Sequence, residues 1–395
     1  MVRETTLLED APAPAPDDLT DDQRDIALAV RQFAQEALAP HAVEWDQAKH
    51  FPIDVLQQAG ELGLGGVYVR EDLGGSALSR LDAVLIFEEL AQGDTTIAAY
   101  ISIHNMVAWM IDTYGSDEIR REWLPGLSAL ELRGSYCLTE AGAGSDAAAL
   151  RTTAVVDGDD YVLNGEKLFI SGAGSSAVYV VMARTGGPGP KGISAIVVPA
   201  DTPGLTFGAN EKKMGWNAQP TAAVWFDNVR VPRSNLLGEE GGGFTIAMKG
   251  LNGGRLNIAA CSLGGAQWAY ERAVVHVKER QTFGHPLSDQ QALVFRLAEM
   301  RIQLEAARGL LRRAARALDA GSPDTVEFSA MAKKFGTDVA FTVANEALQL
   351  HGGYGYLAEY GLEKVVRDLR VHQILEGTNE IMSLIVGRSI IAGTI

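Results

Sequence analysis

The period of the apolar positions changes twice along these 395 residues, and each change calls for a different kind of packing layer. From Asp21 to about Leu130 the period is helical: in DDQRDIALAVRQFAQEAL, Ile26, Val30, Phe33 and Leu38 recur at three- to five-residue steps. Pro40, Pro52, the Gly63 to Gly66 cluster, Gly74-Gly75 and Pro125 cut this part into short helices. One of them, TTIAAYISIHNMVAWMIDTYG, is apolar nearly all round, which predicts burial on most of its surface, either as plain core or as the wall of a ligand pocket. From about Leu132 to Val231 the texture turns to short β-branched and aromatic runs between turn signals at Asp157-Gly158, Asn164-Gly165, Gly172 and Gly186 to Gly192. The runs at 178–183 and 193–200 read as buried strands, and their spacing predicts a small sandwich or barrel of roughly 100 residues. Pro232 and the glycines from Gly238 to Gly243 mark a boundary, after which the helical period returns. Leu293, Leu297, Met300, Leu304, Ala307 and Leu311 alternate steps of four and three, the stripe of a bundle helix. Breaks at Gly284 to Pro286, Gly321 to Pro323 and Gly352-Gly353 divide this last part into four or more long helices. The expected fold class is α+β: a disordered lead over 1–19, a helical domain over 20–131, a β-domain over 132–238 and a helical bundle over 239–395.

Composition narrows the function classes. A hydrophobic content of 47% is ample for a large core, and a formal charge of −16 without a Lys/Arg-dense block argues against a nucleic-acid or anionic-membrane partner. Cys137 and Cys261 lie far apart and have no metal-ligand spacing, so reduced thiols and no metal site are expected. No apolar run reaches about 18 residues, so no membrane span is expected. The lead is acidic and Ala/Pro-rich, unlike a secretory or transit segment, which suggests a bacterial cytoplasmic protein, or a mitochondrial-matrix one whose transit peptide has been removed.

The chemistry concentrates in HQILEGTNEIMSLIVGRSII. Glu376 follows Ile374 and Leu375 and precedes Gly377, at a break before a helix with Thr378 as N-cap and Glu380 as a favourable first-turn charge. A carboxyl in dry surroundings holds its proton more tightly, which suits a base that must take a proton from carbon. A plain capping charge is the alternative reading of Glu376. Five further stretches could build a ligand site. In SYCLTEAGAGSDAAAL, Gly142-Ala143-Gly144 can bring backbone N–H groups close to a phosphate or a ring edge. In LFISGAG, Phe169 and Ser171 offer an aromatic face and a hydroxyl. In LNGGRLNIAACSLGGA, Arg255 follows two glycines on a helix, which leaves space beside it. In ERQTFGHPLSDQQ, Arg280 suits a phosphate and Phe283 a stacked base. In ALQLHGGYGY, Gly352-Gly353 permit close backbone approach.

Together these stretches resemble the acyl-CoA dehydrogenases, FAD enzymes that oxidise acyl-CoA thioesters to 2-enoyl-CoA, across nearly the whole chain. The resemblance rests on AYISIHNMVAWMID, SYCLTE, RTGGPGPKGIS, LNGGRLNIAACSLG and VHQILEGTNEIM. It points to members acting on short branched acyl groups in valine degradation, with isobutyryl-CoA giving methacrylyl-CoA ahead of 2-methylbutyryl- or butyryl-CoA. It implies an N-terminal helical domain, a middle β-domain and a C-terminal four-helix bundle, assembled as a homotetramer built from two dimers. Electron-transfer flavoprotein is the implied electron acceptor. By the same resemblance the loop from Tyr136 to Ser145, including Leu138, Thr139 and Gly144, and the run Phe169, Ile170 and Ser171 hold the flavin ring, with Ser145 also reaching CoA. Arg280, Phe283, Gln291, Gln349, Gly352 and Gly353 are implied to hold the FAD pyrophosphate and adenine, partly across a subunit interface, while Thr378 to Glu380 close over the flavin. Asn252, Gly253, Gly254, Arg255, Leu375, Gly377 and Arg388 are implied acyl-CoA contacts, and Glu376 takes the base position. Two residues depart from the common family pattern, Ala141 where many relatives have Pro and Phe169 where Trp is frequent. A non-catalytic acyl-CoA-binding or assembly protein on the same scaffold is the alternative of another class.

Overall fold

The computed structural model describes residues 19–393, so the lead expected over 1–19 lies, but for Leu19, outside the described residues. Six helices come first: α1 (Asp21–Phe33), α2 (Ala42–Ala48), α3 (Ile53–Glu61), α4 (Arg80–Gly93), α5 (Thr95–Tyr114) and α6 (Asp117–Ser128). Their starts follow local chemistry. Ser79 and Asp82 form a reciprocal capping box on α4, and Asp94 caps α5 by accepting from the Thr96 and Ile97 N–H groups. As its all-round apolarity predicts, α5 is buried except at Ile103, Trp109, Thr113 and Tyr114. Its polar side chains are spent on neighbours: Asn105 accepts from the Val67 N–H, and His104 accepts from the Gly134 N–H through Nδ1 while its Nε2 lies 2.9 Å from the Leu127 carbonyl.

The middle of the chain forms strands β1 (Gly134–Cys137), β2 (Thr153–Asp157), β3 (Asp160–Ser171), β4 (Val178–Arg184), β5 (Ile193–Pro199), β6 (Leu205–Phe207), β7 (Thr221–Pro232) and β8 (Leu236–Leu237). They make one sheet in the order β6-β7-β3-β2-β4-β5-β8, with β1 beside β4 in parallel, rather than two separate sheets or a closed barrel. The two halves meet through the single pairing Thr153↔Arg184, so the sheet folds about that line. Tyr179, Val181 and Ala183 of β4 then pack with Leu163, Val224 and Phe226 from the other half, while the alternate residues Val178, Val180 and Met182 face the helices. The result is sandwich-like packing from a continuous sheet.

The C-terminal part contains α7 (Gly243–Glu279), α8 (Gln291–Asp319), α9 (Thr325–His351), α10 (Leu362–His372) and α11 (Asn379–Ala392), with a two-stranded hairpin at Gln281–Pro286. Helix α7 runs through the centre, buried on most sides among α4, α5, α8 and α9. Gly264 makes the closest of these approaches, since a Cβ there would stand 2.1 Å from the Glu88 carbonyl oxygen. A buried polar chain joins the β-domain to the bundle. The Trp216 N–H donates to Asp368, Trp216 Nε1 donates to His372 Nε2 at 3.1 Å, and Lys364 pairs with Asp368 and Asp94. Ser262 donates to the Ile258 carbonyl and so accepts from His372 Nδ1, which makes His372 a neutral structural imidazole, pushed down to about 3 by burial.

Candidate active site

Glu376 stands between α10 and α11 with φ at 56°, followed by Gly377 at 90°. Two left-handed residues in succession are uncommon unless the surroundings hold them, and here two buried cations do so. Arg255 Nε donates to the Glu376 carbonyl at 3.2 Å, and Lys333 Nζ donates to the Gly377 carbonyl at 2.8 Å. The turn lays the carboxylate on α7, where a Cβ at Gly254 would come within 2.5 Å of Oε2. Part of Glu376 is accessible, but Oε2 is sealed and has no hydrogen-bond partner among the described residues. Burial pushes this carboxyl from 4.5 up to about 7, against the pull of Arg255 and Lys333. A carboxylate titrating near neutrality is suited to take a proton and give it up again.

Two phenols share this dry region. Tyr136 has a buried hydroxyl without a partner among the described residues, and burial plus the Glu376 charge hold its pKa well above the usual value. Tyr68 accepts from Asn257 Nδ2 at 3.1 Å and carries the Arg80 guanidinium 3.6 Å over its ring. Arg255 is buried beside Asn252, whose Oδ1 accepts from Nη1 at 2.8 Å. Leu375 packs partly buried against the main core.

On the β side, the end of β1 and the end of β3 lie together, since the Leu168 N–H donates to the Thr139 carbonyl at 2.8 Å. The β3 register against β7 slips between Lys167 and Ile170, and Phe169, at φ 60°, is turned outward there with 63% of its surface exposed. Ile170 returns to the core, as does Leu138, and the Ser171 carbonyl accepts from Ser135. Gly144 and Ser145 are exposed in the loop beyond Thr139. The buried pair Glu140–Lys167 anchors this loop at 2.8 Å, with Glu140 also accepting from the Arg151 and Thr152 N–H groups.

A second group gathers at the far end of α7 and α9. Arg280, Gln349, Gly352 and Gly353 line an open cleft of about 510 Å³ with His276, His351 and Tyr354, and the Arg280 guanidinium stands 5.5 Å from the Tyr354 ring. Phe283, at φ 54° in the hairpin turn, and Gln291, the first residue of α8, are exposed and do not line that cleft. Thr378 caps α11 by accepting from the Ile381 N–H, and Glu380 is exposed in its first turn. Arg388 is exposed about 13 Å along α11 from its start. A smaller cavity of about 140 Å³ between Lys49 and Thr221 contains none of these residues.

Sequence reasoning missed Tyr68, Asn257 and Lys333. For Lys333 a signal exists: it falls on the stripe of small residues Ala330, Thr337, Ala340 and Ala344 that α9 buries, and a charge on a core-facing stripe needs a partner. Tyr68 precedes the glycine turn and carries no such pattern.

Models of the acyl-CoA dehydrogenase N-terminal, middle and C-terminal domains match residues 20–131, 135–229 and 241–391. The mitochondrial isobutyryl-CoA dehydrogenase of Bos taurus is 53% identical over 373 residues, covering 94% of this chain and 90% of that protein. The structure of butyryl-CoA dehydrogenase from Megasphaera elsdenii superposes with a TM-score of 0.92 at 38% identity, covering 95% of this chain and 100% of that one. A glutaryl-CoA dehydrogenase from Mycobacterium smegmatis, solved in complex with FADH2, superposes at 0.89 with 32% identity, covering 94% and 95%.

Proposed function

The chain belongs to the acyl-CoA dehydrogenase family and is an enzyme of acyl-CoA dehydrogenation, and from that premise we propose that it binds FAD and oxidises isobutyryl-CoA to methacrylyl-CoA with Glu376 as the base. The observation that carries the reading is the Glu376 carboxylate laid on Gly254, its Oε2 sealed and without a partner among the described residues, and its pKa raised to about 7. The substrate follows the Bos taurus relative, and Leu375, beside the base, leaves more room at a branched α-carbon than the tyrosine of many straight-chain members.

The residues fit FAD. Among the described residues the Tyr136 hydroxyl and Glu376 Oε2 are buried here without partners, Phe169 and Phe283 are turned outward at positive φ, and a Cβ at Gly142, Gly144, Gly352 or Gly353 would meet open space. In this reading Tyr136, Leu138, Thr139, Gly144, Ser145, Phe169, Ile170, Ser171, Thr378 and Glu380 hold the flavin ring. Arg280, Phe283, Gln291, Gln349, Gly352 and Gly353 hold the pyrophosphate and adenine. When bound, FAD supplies the acceptor for the β-hydrogen, removed as hydride.

The chain's own work is to prepare the α-carbon. Asn252, Gly253, Gly254, Arg255 and Gly377 flank and orient the acyl-CoA, and Arg388 meets it near its outer end. The Glu376 N–H donates to the thioester carbonyl oxygen, where negative charge develops as the α-proton leaves. Glu376 takes that proton on its carboxylate, and the apolar surroundings exclude water that would compete for it. Electron-transfer flavoprotein is the proposed acceptor for the reduced enzyme, and a homotetramer the proposed assembly.

Glu376→Gln keeps the shape and removes the base. Anaerobic stopped-flow mixing with isobutyryl-CoA should find FAD content unchanged and flavin bleaching slowed at least about 10²-fold. Bleaching near wild-type speed would remove Glu376 from the role. Comparing kcat/KM for isobutyryl-, 2-methylbutyryl-, isovaleryl- and butyryl-CoA tests the substrate assignment.

A further inference from the structure

Lys333 is fully buried on α9, yet among the described residues no carboxylate forms an ion pair with it. Both of its hydrogen bonds, at 2.8 Å, go to carbonyl oxygens of the turn that carries the base: that of Gly377 and the side-chain Oδ1 of Asn379. Asn379 is fixed in turn by donating to Thr337 and Asp338 on the same helix. A buried ammonium is costly to desolvate, and one held only by neutral carbonyls needs a compensating charge nearby. The carboxylate of Glu376 is the largest attraction acting on it, ahead of Asp338 and Glu380.

We propose that Lys333 is a positioning residue for the base: its ammonium holds the Gly377 carbonyl, fixes the left-handed turn at Glu376 and Gly377, and so aims the carboxylate across Gly254 at the substrate. Its charge has a second effect. The groups facing Glu376 are Arg255 from α7, Lys333 from α9, Tyr136 from β1 and Tyr68 from the loop before α4, and the two cations alone draw its pKa down. Without Lys333 the base therefore titrates at higher pH and is less ionised near neutrality.

The inference rests on Glu376 being the base. The test uses FAD-loaded Lys333→Met and Lys333→Gln, with single-turnover flavin reduction by isobutyryl-CoA followed across neutral pH, and FAD content and Tm as independent readouts. In the wild type the rate falls on the acid side as Glu376 protonates. In Lys333→Met the plateau rate should drop about 10- to 100-fold through misalignment, KM should change little, and the acid limb should move to higher pH. Lys333→Gln, which keeps a donor without the charge, should recover part of the plateau rate while its limb stays shifted. A wild-type plateau with an unmoved limb, a lowered plateau with an unmoved limb, or loss of folded FAD-loaded protein in both variants would each overturn the proposal. A wild-type profile without the limb, or Glu376→Gln at wild-type speed, would instead sink the assignment of Glu376 as base.

Discussion

At Gly254 the helix gives up stability for a site. Alanine would favour the helix by about 1 kcal/mol, but its Cβ would stand 2.5 Å from Glu376 Oε2 and push the carboxylate aside. Gly254→Ala should therefore keep or raise Tm while slowing flavin reduction about 10²-fold, the scale of a misplaced reacting group. Melting curves and single-turnover rates measured on one preparation check both halves. Glu376 carries the complementary penalty. Its folded-state pKa lies above the unfolded value, so the folded protein holds this proton more tightly, and stability falls as pH rises from 4.5 to about 7 and stays lowered above that. A rise of that size corresponds to up to about 3 kcal/mol. Glu376→Gln should then melt higher than the wild type at alkaline pH and equally at acid pH, and coincident melting at both would show that the carboxyl is not held in dry surroundings.

The same substitution on the same helix should have the opposite effect ten residues on, because there the neighbour is backbone. A Cβ at Gly264 meets the Glu88 carbonyl oxygen at 2.1 Å and the Ala91 Cβ at 2.8 Å, and neither can swing away without α4 moving off α7. Gly264→Ala should lower stability by about 1 to 3 kcal/mol in spite of its better helix propensity, readable as a drop in urea midpoint. These elements differ in how openly the sequence declares them. The stripe from Leu293 to Leu311 on α8, the all-round apolar α5 and the Thr378 cap are local patterns, and the structure carries each of them. Glu376 stands out as a candidate base only when the flanking stretches are read with it, since alone a glutamate before a capped helix reads equally as a capping charge. What was hidden depends on distant partners. The continuity of the sheet hangs on Thr153 meeting Arg184, and Tyr68 joins the site only because α7 brings Asn257 to it, so neither leaves a trace in local periodicity.

Across the whole molecule, the described chain leaves large apolar side chains in water on the bundle: Phe283 is 97% exposed, Phe295 62%, Ile302 61% and Ile391 88%. These residues stand on the hairpin, α8 and α11, and the proposed tetramer would give them a cover. Phe283 joins this surface to the cleft, because its hairpin follows directly on Arg280 and the cleft is lined by Arg280 and Thr282. If the same hairpin holds the pyrophosphate and meets a neighbouring subunit, cofactor retention and assembly are one equilibrium, and weakening either weakens the other. Arg280→Ala removes a charge-assisted hydrogen-bond donor of about 1.5 to 3 kcal/mol, which corresponds to roughly 10- to 100-fold in FAD affinity. The variant should elute with less flavin per chain and dissociate at higher protein concentration than the wild type, and added FAD should restore the larger species. Gel filtration with absorbance at the flavin band, with and without excess FAD, measures both quantities together. A fully flavinated tetramer would take Arg280 out of the cofactor site, and flavin loss without dissociation would separate that site from the interface.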